Sequence, residues 1–156
     1  MDGLKVFITG AGGFMGSHLV DFLHATGHEV HGIFFGPVHL VSEIKHKANL
    51  IECDIGNKEK LREIISKVKP QQIYHLAAQS YPTVSWAEPV LTTETNVIGT
   101  INIFEIIKDL KLNCRTLVAG SSAEYGFVTP DEVPVKESHE LKPLHPYGVT
   151  KVAQEG

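Results

Sequence analysis

The sequence predicts an α/β fold with a doubly wound parallel sheet, because short apolar runs alternate with amphipathic segments of helical length. Strands that alternate with helices pair in parallel, since each helix returns the chain to the same edge of the sheet. No internal repeat, low-complexity stretch or shift in composition divides the chain. We therefore expect residues 1–156 to belong to one domain.

The first strand, the first helix and the second strand are predicted at residues 4–9, 13–26 and 30–35. The first run is apolar but far too short to span a bilayer. Gly27 stands where a left-handed residue often ends a helix. The apolar side of the helix is formed by Leu19, Val20, Phe22 and Leu23.

The middle of the chain contains a predicted short strand at residues 50–53, a helix at 58–68 and a strand at 72–77. Pro70 marks the end of the helix, because proline cannot continue it. The helix itself is indicated by apolar residues at helical spacing, namely Leu61, Ile64, Ile65 and Val68.

The last predicted elements are a long helix at residues 93–112, a fifth strand at 116–120 and a helix that begins at Tyr147. Residues 127–146 contain four prolines and many charges, so we expect a loop there. The long helix is marked by an apolar stripe that consists of Val97, Ile98, Ile101, Phe104 and Ile107.

Composition excludes several classes of function. The net charge is −4 and the basic residues do not cluster, so neither nucleic acid nor an anionic membrane is an expected partner. Cys53 and Cys114 lack the spacing of metal ligands, and no two histidines stand at i, i+4 with a carboxylate between them, so we expect no metal site. Without a signal peptide, the two cysteines indicate reduced thiols in a cytoplasmic protein.

A glycine-rich turn lies between the first predicted strand and the first predicted helix. Gly10 permits a tight turn, Gly13 lets the backbone approach a pyrophosphate, and Gly16 lets the helix pack closely on the strand. The helix begins around Phe14 and Met15, where its unpaired N–H groups and positive dipole end favour phosphate. The placement of the turn after a strand and before a helix predicts dinucleotide binding.

The spacing from Gly10 to Gly13 resembles that of the extended short-chain dehydrogenase/reductase superfamily, which has a Rossmann fold. The resemblance implies that Asp54, with Ile55 beside it, contacts the adenine; a helix cap or a turn is the alternative role of this carboxylate. It also implies that Leu76-Ala77-Ala78-Gln79 lines the cofactor. Asn96 matches a cofactor-site asparagine of that family, with a surface amide as the alternative.

The end of the second predicted strand leaves the identity of the cofactor open. An acidic side chain there would bind the ribose 2′-OH of NAD, and an arginine would bind the phosphate of NADP. The segment Phe34-Phe35-Gly36-Pro37 offers neither. Lys45 and Lys47 follow, but they could equally be solvated helix charges. NAD and NADP both stay open, and the missing carboxylate favours NADP.

Tyr147 and Lys151 are one helical turn apart, so their side chains share a side of the helix. Free tyrosine has a pKa of about 10, and a nearby cation stabilises the tyrosinate and favours proton transfer at neutral pH. In the superfamily that the sequence resembles, a Ser or Thr completes this set, and Ser122 matches it by spacing. The resemblance implies that Ser122 orients the substrate oxygen, and that Tyr147 and Lys151 also contact the cofactor.

Glu124 stands two residues after Ser122, the offset at which nucleotide-sugar 4,6-dehydratases of this superfamily carry a glutamate that eliminates water. A solvated loop carboxylate is the alternative. Ala78-Gln79-Ser80 resembles the GDP-mannose 4,6-dehydratases, whereas residues 130–135 and 146–149 are more similar to GDP-4-keto-6-deoxymannose reductases. The resemblance implies hydride transfer at C4 of a nucleotide sugar, with a GDP-linked 6-deoxyhexose favoured.

Dehydratase, reductase and 4-epimerase activities all stay open, and a non-catalytic dinucleotide-binding domain is a further alternative. The resemblance also implies a longer protein, truncated here before its last strand and its C-terminal substrate domain. We therefore expect weak NAD(P) binding and little or no turnover. The family further implies a homodimer through the helices at residues 93–112 and 147–156, although a buried intramolecular face would also explain the apolar stripe.

Overall fold

A five-stranded parallel sheet lies in the first of the two units into which the chain divides. The structure is a computed structural model that describes residues 3–36 and 39–156. The first unit consists of Met1–Ala77 and Gly99–Ala119, and the second of Ala78–Ile98 and Gly120–Gly156.

The strands lie close to their predicted positions. They are β1 (Lys5–Thr9), β2 (Glu29–Phe34), β3 (Asn49–Glu52), β4 (Gln72–His75) and β5 (Arg115–Val118). Their order in the sheet is β3-β2-β1-β4-β5, and every neighbouring pair is parallel. This order confirms the doubly wound fold, in which the chain crosses from one half of the sheet to the other beside β1.

Four of the seven helices that the structure describes in residues 3–36 and 39–156 had been predicted at least in part. The helices are α1 (Phe14–Ala25), α2 (Val41–Ile44), α3 (Lys58–Val68), α4 (Pro82–Ala87), α5 (Pro89–Thr93), α6 (Gly99–Asp109) and α7 (Pro146–Glu155). The short helices α2, α4 and α5 lie in segments that carry no long helical periodicity. No helix within the described part of the chain has both the length and the apolar content that crossing a membrane requires.

Helices cover both faces of the sheet, so alternate side chains of a strand enter different cores. On β1, Val6 and Ile8 belong to a core cluster that includes residues of α1 and α2, whereas Phe7 belongs to one that includes residues of α3 and α6. All three side chains are fully buried. Burial on both faces explains why the strand is a continuous apolar run rather than an alternating one.

The ends of α3 show why its prediction was accurate. The side-chain oxygen of Asn57 accepts a hydrogen bond from the backbone N–H of Lys60 at 3.1 Å, which caps the first turn. Lys69 has a left-handed backbone with φ of 50° and ends the helix just before Pro70. The apolar periodicity, the Asn57 cap and the left-handed Lys69 therefore all indicate the same helix.

The predicted apolar side of α1 is partly wrong. Val20 and Leu23 are buried, but Phe22 is 64% exposed. Leu19 is partly buried and packs against the same core as Val20 and Leu23. Phe22 lies about 100° around the helix from its neighbour Leu23 and therefore faces away. Gly27 does have the predicted left-handed backbone, with φ of 85°.

The predicted long helix at residues 93–112 is interrupted by a π-helical turn at Glu94–Ile98. Behind this turn, α6 buries Ile103 and Ile106, whereas Ile101 and Phe104 of the predicted stripe are each 45% exposed. Ile98, Ile101 and Phe104 of the stripe therefore do not face the core, whereas Ile107 is partly buried against it. A π turn inserts one extra residue into the helical repeat, which changes which residues face the core.

A buried chain of hydrogen bonds joins β1 to the end of β4 and to α6. The Thr9 hydroxyl oxygen accepts the backbone N–H groups of Leu76 and Ala77 at 3.1 and 3.0 Å, and lies 2.7 Å from Nδ1 of His75. Since this oxygen already accepts two bonds, its own proton is directed to Nδ1. The opposite ring nitrogen of His75 lies 2.8 Å from the hydroxyl of Thr100.

The second unit is built around α7, which packs against α4, α5, the π-helical turn and a 3₁₀ turn at Ser122–Glu124. The predicted loop at residues 127–146 is irregular, apart from a short 3₁₀ turn at Pro130–Glu132. The second unit thus carries the predicted proton-transfer residues, and the first carries the glycine turn.

Candidate active site

The glycine turn between β1 and α1 has the tight backbone that its sequence predicts. Gly10 has φ of 70°, in the left-handed region, and a Cβ added there would lie 2.9 Å from the backbone nitrogen of Ala77. A Cβ added to Gly16 would lie 2.2 Å from the carbonyl oxygen of Gly10. Both positions exclude any side chain, so α1 starts directly against the turn.

The start of α1 fits a dinucleotide phosphate. Its N-cap is Gly13, which has an extended backbone and provides no side-chain cap, and the first turn contains no acidic residue. Phe14 and Met15 in that turn are 72% and 67% exposed. Uncapped N–H groups at the positive end of a helix dipole are suited to an anion, and a glycine N-cap leaves room for its approach.

Asp54 and Ile55 follow β3, at the same carboxyl edge of the sheet as the glycine turn. The Asp54 carboxylate accepts the N–H of Gly56 at 2.8 Å, so it has the turn role named as the alternative, although its side chain is also exposed. The Ile55 side chain is buried in the core, and its carbonyl accepts a bond from Asn102 at 3.2 Å. Contact of Asp54 and Ile55 with a cofactor stays a prediction.

Leu76 and Ala77 lie at this carboxyl edge too, directly after β4. Both are half-buried, and their N–H groups are held by the Thr9 hydroxyl. Ala78 and Gln79 belong to the second unit. The predicted cofactor-lining segment is therefore fixed at its start by a bond to β1.

Lys45 and Lys47 lie at the opposite edge of the sheet. With His24, His28 and His46, they line a polar depression of about 270 Å³ beside the first residues of β2 and β3. Nζ of Lys47 lies 2.8 Å from Oδ1 of Asp21. These lysines are thus remote from the carboxyl edge, where a phosphate on the ribose would be expected. Pro37, which belongs to the segment considered for cofactor choice, lies outside the described residues.

Asn96 lies in the π-helical turn and is fully buried, so the surface-amide alternative is wrong. Its side-chain oxygen accepts the N–H of Gln79 at 2.8 Å, and its amide nitrogen donates to the carbonyl of Gln79 at 3.2 Å and to the hydroxyl of Thr150 at 2.9 Å. The Gln79 side chain in turn donates to the hydroxyl of Thr92. Asn96 therefore ties the predicted cofactor segment to α7.

Tyr147 and Lys151 are both buried on α7, with 9% and 4% of their surfaces exposed. Nζ of Lys151 lies 5.8 Å from the centroid of the Tyr147 ring, within the range of a cation–π contact. Burial lowers the pKa of Lys151, and the charge of Glu124 opposes this shift. The ammonium is thus held beside the phenol in surroundings that weaken its hold on a proton.

Ser122 and Glu124 are presented by the 3₁₀ turn that packs against α7. Ser122 is exposed, whereas Glu124 is only 3% exposed and accepts the N–H of Ser121 at 2.7 Å. The solvated-loop alternative for Glu124 is therefore wrong. Burial raises the pKa of Glu124, the Ser121 N–H and the charge of Lys151 lower it, and the neighbouring Glu155 carboxyl raises it further.

Three residues of this site were not predicted from the sequence. Nδ1 of His145 accepts the N–H of Gly148 at 3.0 Å and caps α7, and its ring stacks on Tyr147. The proline after His145 was a usable signal, because proline favours the first helical position. Ser121 and Glu124 form a capping box, which the pattern S-x-x-E also indicates. No sequence pattern of this kind predicted that Glu155 would lie near the site.

Comparison with known proteins identifies the family to which the chain is similar. A family model described as GDP-mannose 4,6 dehydratase matches residues 7–156. The GDP-mannose 4,6-dehydratase of Vibrio cholerae is 36% identical over 161 residues, which cover 95% of this chain and 43% of that protein. The UDP-glucose 4-epimerase of Mycolicibacterium smegmatis is 33% identical, with 97% of this chain and 49% of that protein covered.

A solved structure shows the same fold. The UDP-glucose 4-epimerase of Brucella ovis in complex with NAD matches with a TM-score of 0.86 and 27% identity, over 96% of this chain and 45% of that one. The chain therefore spans less than half the length of these three relatives.

We expect Gly16→Ala to lower the free energy of unfolding by about 3 kcal/mol, because its Cβ meets backbone atoms that cannot rotate away. Gly13→Ala is the matched variant: its Cβ would lie 3.3 Å from the Gly10 carbonyl oxygen, so we expect a loss of about 1 kcal/mol or less. Urea unfolding followed by circular dichroism measures both. Equal losses would contradict the close packing at Gly16.

We expect Glu124→Gln to change how stability depends on pH. A raised pKa in the folded state contributes stability that is complete below the unfolded value of 4.5 and is lost as pH rises through the folded pKa. Glutamine cannot ionise and keeps an oxygen for the Ser121 N–H. The free energy of unfolding of the wild type minus that of the variant should therefore fall as the pH rises above 4.5. The exposed Glu137→Gln serves as control, and a flat difference for Glu124→Gln would count against its burial.

Proposed function

The chain belongs to the GDP-mannose 4,6-dehydratase family of extended short-chain dehydrogenases/reductases, and from this premise we propose that it provides the NAD(P)-binding and proton-transfer part of an enzyme acting at C4 of a nucleotide sugar. The observation that carries the proposal is the buried arrangement of Tyr147, Lys151 and Glu124 on and beside α7. Burial raises the pKa of Glu124 and lowers that of Lys151, and ionisable groups shifted in this way are common where proteins transfer protons.

Tyr147 is the residue that we assign to proton transfer at the C4 oxygen. The bound cofactor would supply the hydride exchange. The ammonium of Lys151 stabilises the tyrosinate, and the attraction is stronger in this buried place than it would be in water. Ser122, exposed on the 3₁₀ turn, donates a hydrogen bond to the same substrate oxygen and orients it. His145 holds the start of α7 and thereby the position of Tyr147.

Glu124 is the residue that we assign to loss of water from the sugar. Burial raises the pKa of Glu124, which makes its carboxylate a stronger base. It would take the proton from C5 and pass it to the hydroxyl that leaves C6, so that water departs and a C5–C6 double bond forms. This role supports a 4,6-dehydratase and agrees with the matching family model and with the relative from Vibrio cholerae. The favoured substrate is a GDP-linked hexose. The relatives from Mycolicibacterium smegmatis and Brucella ovis support 4-epimerase activity as the second candidate.

The glycine turn and the start of α1 are the residues that would hold the cofactor's pyrophosphate. The N–H groups near Phe14 and Met15 would bind its oxygens, and we assign Asp54 to contact with the adenine. NAD is favoured over NADP, because the Brucella ovis structure contains NAD and because Lys45 and Lys47 lie at the other edge of the sheet.

A homodimer is the proposed assembly. Ile101 and Phe104 leave about half of their apolar surface exposed on α6, and Val149 is 54% exposed on α7. Exposed apolar stripes of this kind are suited to helix–helix contact between copies. Sedimentation velocity should show a dimer for the wild type and a weaker one for Phe104→Ser, with Phe22→Ser on α1 as control. A strict monomer at high concentration would refute the assembly.

We expect Tyr147→Phe to lower turnover by about 100-fold or more while leaving cofactor affinity nearly unchanged, because only the hydroxyl is removed. Because little or no turnover is expected from residues 1–156 alone, a longer protein that contains them is mixed with NAD⁺ and GDP-mannose, and the loss of water is followed by mass spectrometry; UDP-glucose tests epimerisation in parallel. NAD⁺ binding is measured by calorimetry. Equal turnover by the two proteins would exclude the role of Tyr147, and binding without any turnover by the wild type would favour a non-catalytic dinucleotide-binding chain.

A further inference from the structure

His145 stands directly before α7 and contacts two residues of its first turn. Its Nδ1 accepts the backbone N–H of Gly148 at 3.0 Å. Its ring stacks on that of Tyr147, with the ring centroids 5.9 Å apart and the planes 23° from parallel. Only a ring nitrogen without a proton can accept an N–H group. In the neutral ring the proton is therefore on Nε2, and the start of α7 sets this tautomer.

A histidine cap differs from a serine, threonine or asparagine cap because its acceptor titrates. The side-chain oxygens of those three residues accept an N–H whatever the pH. When a histidine gains a proton, both ring nitrogens become donors, so Nδ1 of His145 would direct its own N–H at that of Gly148. The new positive charge would also stand at the positive end of the α7 dipole. Protonation of the ring therefore abolishes this hydrogen bond.

The capped residue lies against the turn that carries Ser122 and Glu124. A Cβ added to Gly148 would lie 2.7 Å from the carbonyl oxygen of Ala123, which stands between those two residues in the 3₁₀ turn. The backbone at the start of α7 is thus in close contact with the backbone of that turn. The bond from Gly148 to the cap holds the start of α7, and with it Tyr147, against the 3₁₀ turn.

We propose that His145 is a positioning residue that aligns Tyr147 with Ser122 while its ring is neutral, and that protonation of the ring loosens this alignment and slows proton transfer. The mechanistic part rests on the proposed function, because Tyr147 and Ser122 are the groups assigned to the substrate oxygen. The cap and its loss do not depend on that function, since they involve only the folded chain. His145 need not touch the substrate, because it acts through the start of α7.

The charges around α7 do not provide the same effect. Tyr147 is a titratable residue in contact with the His145 ring, and Nζ of Lys151, on which the charge of Glu124 acts, lies 5.8 Å from the Tyr147 ring. The helices α4 and α5 contain no titratable side chain. The ionisable residues of the neighbouring turns and of the end of α7 are exposed, namely Glu88, Glu94, Glu140, Lys142 and Glu155. A second cation beside Tyr147 would favour its tyrosinate, so a loss of turnover specific to the histidine cap would come from lost alignment.

Nitrogen-15 NMR of the histidine rings tests the cap in residues 1–156 without cofactor or sugar. The His145 signals are assigned by their loss in His145→Asn, and the nitrogen shifts report which ring nitrogen carries a proton. At about pH 8, where histidine is ordinarily neutral, we expect a proton on Nε2 and none on Nδ1.

Hydrogen exchange of the Gly148 N–H, relative to an unstructured chain, measures what the cap contributes. As the pH falls to about 5 and Nδ1 gains a proton, this protection should fall about fivefold, the size of a typical N-cap contribution. In His145→Asn the capping oxygen does not titrate, so the protection should stay constant. A proton on Nδ1 at the higher pH overturns the proposal. So does a ring that stays neutral at the lower pH, or equal protection of Gly148 in the neutral and protonated states.

Turnover by a longer protein that contains residues 1–156 tests the mechanistic part. The turnover of His145→Asn divided by that of the wild type should rise about fivefold as the pH falls over the same range. The corresponding ratio for His24→Asn, an exposed residue of α1, should stay constant. A constant ratio for His145→Asn overturns the positioning role. If the wild type binds NAD⁺ but converts neither GDP-mannose nor UDP-glucose, the proposed function fails, while the NMR result still supports or overturns the cap.

Discussion

The carboxyl end of β1 is held by one buried hydroxyl, and the glycine turn depends on it. The oxygen of Thr9 binds the two N–H groups that follow β4, and its proton is directed to His75, so β1 and β4 cannot slide past each other without breaking three hydrogen bonds. The next residue is Gly10, whose backbone lies against Ala77 with no space for a side chain. The place where a dinucleotide would bind is thus fixed by strand ends rather than by the loop itself.

In the second unit, Asn96 has a comparable function. Its amide binds both the carbonyl and the N–H of Gln79 and also reaches Thr150, whose hydroxyl donates to the carbonyl of Tyr147. The π-helical turn that carries Asn96 interrupts an otherwise regular helix, and such turns often occur at functional sites. The buried Asn96 amide in this turn holds the segment after β4, through Gln79, and the start of α7, through Thr150.

The sequence predicted those parts of the fold that depend on local signals. The sheet was predicted because its strands are buried on both faces, and α3 because periodicity, the Asn57 cap and Pro70 agree. The π turn and the exposure of Phe22 were missed, since residue type alone does not specify which face of a helix meets the core. At the site, Tyr147 and Lys151 were recognisable from spacing, whereas the burial of Glu124 depends on Glu155, Lys151 and Ser121, which meet only in the folded chain.

The backbone contacts of the glycine turn affect how such motifs should be interpreted. A side chain at Gly10 or Gly16 would meet backbone atoms, which no repacking of neighbouring side chains can move away. These two glycines are therefore required by the chain's own geometry, and a relative that had lost every trace of ligand binding would still keep them. Gly13 has more room, so its replacement is tolerated structurally. The identity of that one residue, rather than the glycine count, carries the information about whether a phosphate is bound.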